Sequence, residues 1–76
     1  MTHRQRQFID AYLYSPDRHA RYNATKAAEA AGYAWPAKQG PRLMTFRSVA
    51  IPLNREYRKQ SMKEFGEDLG PIVVIR

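Results

Sequence analysis

Lys38, Gln39 and Arg42 fall within five residues of one another, at positions that a helix with Ala37, Gly40, Leu43 and Met44 buried would leave outside. Arginine presents a two-pronged donor that fits the O6 and N7 edge of guanine. Glutamine matches the N6 and N7 edge of adenine, and lysine suits phosphate or guanine. Arg4, Lys26 and Arg47 add three further cations suited to phosphate oxygens. Other chemistry lacks its groups. His3 and His19 stand at metal-ligand spacing from no other histidine or carboxylate pair, and there is no cysteine. No glycine-rich phosphate loop follows a strand pattern, no nucleophile motif occurs, and Glu64, Glu67 and Asp68 read as a solvated helix end. The expectation is a binding protein, with no catalytic residue, no metal and no cofactor.

Elements must hold these side chains in place, and the sequence marks them. Thr2 followed by Gln5 reads as a capping box opening a first helix to about Tyr14, with Phe8, Ile9, Tyr12 and Leu13 on its apolar stripe. Ser15, Pro16 and Asp17 signal a turn, and residues 18–22 read as a loop with room for one helical turn. Asn23 is a good N-cap and Gly32 a good terminator, so a second helix is expected over about Ala24 to Ala31. Its alanines bury little area, which makes sense where another backbone must come close.

Pro36 suits the first position of a third helix that buries Ala37, Gly40, Leu43 and Met44 and leaves Lys38, Gln39, Arg42 and Thr45 outside. Pro41 inside it requires a later start or a bend. A fourth helix is expected over about Pro52 to Phe65, capped by Ser48 or Ile51, with Leu53, Tyr57 and Phe65 inward. Gly66, Gly70 and Pro71 end it, and Ile72 to Ile75 form an extended tail or an edge strand. The fold class is therefore all-α: a small helix-turn-helix domain of about four helices over residues 1–66 and a C-terminal tail over 67–76.

Charge and length bound what remains. A second core would need roughly 50 more residues than these 76. Thirteen basic against seven acidic residues give a net charge of +6, and residues 34–63 hold seven cations against Glu56 alone. Such a surplus attracts polyanions, nucleic acid first. Anionic membrane is the weaker alternative, because no long apolar helical face accompanies the cations. The longest apolar run has four residues where a bilayer span takes about 20, and no apolar segment opens the chain, so the expected location is the cytoplasm.

Three blocks of this sequence resemble a known family. They are Thr2-x-Arg4-Gln5-x-x-Phe8-Ile9-x-x-Tyr12-Leu13, Asn23-Ala24-Thr25-x-Ala27-Ala28-x-x-Ala31-Gly32-Tyr33 and Lys38-Gln39-Gly40-x-Arg42-Leu43-Met44. Together they look like the N-terminal domain of bacteriophage terminase small subunits, over about residues 2–50. The resemblance implies recognition of double-stranded viral DNA at the packaging start and assembly into a homo-oligomeric ring. It further implies hand-over of that DNA to a terminase large subunit, in the cytoplasm of an infected bacterium. Residues 14–22 read as an insertion in the pattern, and the long ring-building helices of the family have no counterpart after about Val49. Two alternatives stay open: a helix-turn-helix transcriptional regulator of a phage or plasmid, and a non-catalytic interaction protein whose Ile72 to Ile75 tail adds a strand to a partner sheet.

Overall fold

The computed structural model describes residues 2–17, 19–68 and 70–72. These fold into α1 (His3–Tyr14), α2 (Ala24–Ala30), α3 (Pro36–Leu43) and α4 (Arg47–Phe65), with no strand among them. The chain is all-α.

Each early helix starts where its cap places it. The Gln5 backbone N–H donates to Thr2 Oγ1 at 3.1 Å and the Thr2 N–H returns to Gln5 Oε1 at 3.2 Å, closing the capping box. Asn23 Oδ1 accepts from the Lys26 N–H at 3.0 Å and opens α2. Its end is a Schellman motif: the Tyr33 N–H reaches the Ala28 carbonyl at 3.0 Å, and the Gly32 N–H reaches the Glu29 carbonyl at 3.1 Å. That geometry requires the left-handed conformation of Gly32, φ 86°.

The core joins one stripe from each helix. Phe8, Ile9, Tyr12 and Leu13 of α1 meet Ala27, Ala28 and Ala31, Leu43 of α3, and Val49 and Leu53 of α4. Phe8, Ile9, Leu13, Val49 and Leu53 are fully buried, each worth about 1.5–3 kcal/mol of transfer free energy. α2 packs on both α3 and α1, and α4 packs on α1. α3 comes close to α2 at Gly40, where an added Cβ would lie 2.6 Å from the Ala24 carbonyl carbon and 3.0 Å from the Thr25 nitrogen. The backbone of α3 thus rests directly on the start of α2.

Several expectations are corrected. α3 starts at Pro36 as expected, so Pro41 brings no later start and lies inside the helix, while Ala37, expected to be buried, is exposed. α4 starts at Arg47, five residues before Pro52, with Phe46 as an N-cap that makes no side-chain cap bond. Starting there buries Val49 and Ala50, which outweighs the hydrogen bond that Pro52 cannot donate. Phe65 is exposed at 65%, because the helix has run past the core by its last turn.

The connector between α1 and α2 is held by aromatic contacts. The Tyr22 ring stands edge-on to Tyr12 and Tyr57, with centroids 5.9 and 6.1 Å away. Its N–H donates to the Tyr12 carbonyl at 2.8 Å. These contacts hold Tyr22 at φ 61°, a left-handed conformation that bulky residues rarely adopt. After α4, the chain turns back at Gly66, φ 73°, and the Ile72 N–H donates to Oδ1 of buried Asn54 at 3.0 Å. Ile72 packs on the core. The expected tail residues Val73, Val74 and Ile75 lie outside the described residues.

Candidate nucleic-acid interface

The Schellman turn that ends α2 also places Tyr33. Its N–H is committed to Ala28, and its half-buried ring lies under the Arg4 guanidinium, 5.5 Å from the ring centroid. A cation over an aromatic face gains about 0.5–1 kcal/mol at an exposed site, enough to bias the Arg4 rotamer. Burial pushes the Tyr33 phenol above its ordinary range, and the Arg4 charge offsets part of that. The hydroxyl therefore remains protonated at neutral pH, able to donate and to accept.

Two shallow clefts meet at this ring. One is lined by Thr2, His3, Arg4, Gln7, Ala31 and Tyr33. The other is lined by Gln5, Tyr33, Gln39, Arg42, Leu43 and Phe46. The first turn of α1 and the outer side of α3 are thereby brought onto one surface, with Arg4 on one flank of Tyr33 and Gln39 and Arg42 on the other. Arg42 lies in the last turn of α3, where its backbone carbonyl accepts from Thr45 Oγ1 at 2.7 Å.

The six residues singled out by the sequence are distributed unequally about this surface. Arg4 lines the first cleft, and Gln39 and Arg42 line the second. Lys38 is exposed on the first turn of α3, Lys26 on α2 and Arg47 at the first position of α4, and none of these three lines either cleft. Arg47, expected on the approach to the fourth helix, is part of that helix. Gln5, Tyr33 and Phe46 join the site without having been singled out for it. The Gly32-Tyr33 pair was the available signal, since a Schellman motif directs the residue after its glycine back toward the helix.

The remaining charges are partly spent on the fold. Arg6 pairs with Glu56 and, at 2.9 Å, with Asp10. The pair with Asp10 is exposed on both sides and worth about 0–1 kcal/mol, whereas Glu56 is partly buried beneath Arg6. Among the described residues no group of three or more His, Asp or Glu could hold a metal ion. No helix among the described residues is long and apolar enough to cross a membrane. Comparison with protein-family models, curated proteins and solved structures finds no match.

Proposed function

We propose that this chain binds double-stranded DNA without chemistry of its own, α2 and α3 forming a helix-turn-helix with α3 as the recognition helix. The observation that carries this reading is the shared surface about Tyr33. Gln39 and Arg42, suited to adenine and guanine edges, line a cleft that shares Tyr33 with the cleft lined by Arg4, a cation held against that ring. The seating of Gly40 on Ala24 supports it further, because a helix-turn-helix needs its second helix fixed rigidly on its first. In this reading Gln39, Arg42 and Lys38 meet base edges, while Arg4, Lys26 and Arg47 hold phosphates.

The finer proposal is that the chain acts as a terminase small subunit in viral genome packaging. It would recognise the packaging site, assemble with copies of itself and pass DNA to the large subunit in the bacterial cytoplasm. It rests on the resemblance carried by Asn23 to Tyr33 and Lys38 to Met44.

Native mass spectrometry of the chain, alone and with a duplex spanning a phage packaging site, tests both levels. The proposal expects a chain–duplex complex that outcompetes an unrelated duplex of equal length. Absence of any complex at low salt rejects DNA binding. Equal retention of both duplexes rejects the packaging role and leaves the general one.

A further inference from the structure

Arg4 and Arg6 both lie in the first half of α1, yet the fold uses them differently. Arg6 donates its guanidinium N–H groups to Glu56 and Asp10. Arg4 makes no ion pair among the described residues, and its guanidinium carbon lies over the Tyr33 ring, 5.5 Å from the centroid. A guanidinium is attracted to an aromatic ring through its face and donates hydrogen bonds from its edges, so one that rests on a ring keeps its donors for another acceptor. Arg4 is thus both oriented and open to an anion.

Tyr33 can orient it because Tyr33 is itself fixed. Its N–H donates to the Ala28 carbonyl at 3.0 Å in the turn that ends α2, and its ring packs against the core cluster. The same ring lines the cleft that holds Gln39 and Arg42 as well as the one that holds Arg4. A side chain shared in this way ties the first turn of α1 to α3. Contacts to phosphate set the register in which a recognition helix meets the base edges, and a cation free to swing would set it poorly.

We propose that Tyr33 is a positioning residue for DNA binding, its ring holding the Arg4 guanidinium in the orientation that grips a phosphate while Gln39 and Arg42 meet the neighbouring base edges. The assignment rests on the DNA-binding reading above and adds to it a residue that acts through Arg4.

The test uses the full chain with Tyr33→Phe, Tyr33→Leu, Arg4→Ala and the double variant of the last two. In the free protein the ring should shift the Arg4 side-chain proton resonances upfield, an effect that Tyr33→Phe keeps and Tyr33→Leu removes. A cation–ring contact at an exposed site corresponds to about a two- to fivefold change in affinity. Tyr33→Leu should weaken duplex binding by that factor, Tyr33→Phe should bind like the wild type, and Tyr33→Leu should cause no further loss once Arg4 is alanine. Arg4→Ala should make the plot of log affinity against log salt shallower by about one, whereas Tyr33→Leu, which keeps the cation, should leave its slope unchanged. Absence of the upfield shift in the wild type, a Tyr33→Phe loss as large as that of Tyr33→Leu, or an additive loss in the double variant overturns this assignment while leaving DNA binding in place. The first of these outcomes needs only the wild type, so it decides the matter even where Tyr33→Leu fails to fold. Failure of the wild type to retain any duplex at low salt overturns the DNA reading, and this role with it.

Discussion

Arg42 and Lys26 illustrate how position separates two cations of equal charge. Arg42 lines the cleft beside Tyr33 on the outer side of α3, whereas Lys26 sits on α2 away from both clefts. Arg42→Ala should therefore narrow the gap between specific and non-specific duplex affinity by about 1–3 kcal/mol, while Lys26→Ala weakens both about equally. Fluorescence anisotropy with the two duplexes measures this, and equal losses for Arg42→Ala would move that side chain to the phosphates. The tyrosines make a second prediction at this scale. Burial raises the Tyr12 and Tyr22 phenols above their ordinary value of 10.0, with neighbouring tyrosines adding to it. A raised folded-state value means the native state holds its protons more tightly than the unfolded chain. The stability this provides is complete below pH 10.0 and is lost as pH rises through the folded value. Thermal midpoints should be flat in that respect below pH 10.0 and fall above it. Tyr12→Phe should fall less steeply.

At the scale of elements, the contact between α2 and α3 decides whether a recognition helix exists as a rigid body. Gly40→Ala would ordinarily strengthen a helix by about 1 kcal/mol. Here the new Cβ meets the Ala24 carbonyl, which is backbone and cannot swing aside. The variant should instead lose about 1–3 kcal/mol and bind duplex more weakly, as read by thermal unfolding and anisotropy on the same sample. Ala28→Leu, on a face that is 0% exposed, should cost a similar amount, and an unchanged midpoint would mean that this face is not packed. These elements were legible because their signals are local. Thr2 with Gln5, Asn23, Gly32 and Pro36 each act within four residues, and each marks a helix end in the structure. The start of α4 was not legible, because Pro52 signals a helix start locally while burial of Val49 and Ala50 against distant residues pulls the start back to Arg47. The site was legible in its α3 half for the same reason. Its other half depends on α1 approaching Tyr33, a tertiary contact that no spacing encodes.

The charge distribution of the whole molecule governs how such a small body would hold a duplex. Of the seven cations between residues 34 and 63, Arg58 lies 3.8 Å from Asp68, an exposed pair that holds it only weakly. Arg6, outside that stretch, is more firmly occupied by Glu56 and Asp10. Residues 30–55 hold Lys38, Arg42, Arg47 and Arg55 and no acidic residue. If binding neutralises three to six phosphates, the plot of log affinity against log salt should fall with a slope of roughly −3 to −5. The slope also separates the contributions of the two regions. Reversing charge on α4 with Lys59→Glu and Lys63→Glu should lower affinity through the long-range field and leave the gap between specific and non-specific duplexes unchanged. Lys26→Ala, at a phosphate contact, should make the slope shallower by about one. A flat salt dependence would reject electrostatic DNA binding, and a slope unaffected by Lys26→Ala but reduced by the α4 reversals would move the binding face to α4. The cleft at Tyr33 would then lie on the wrong side of the molecule to read bases.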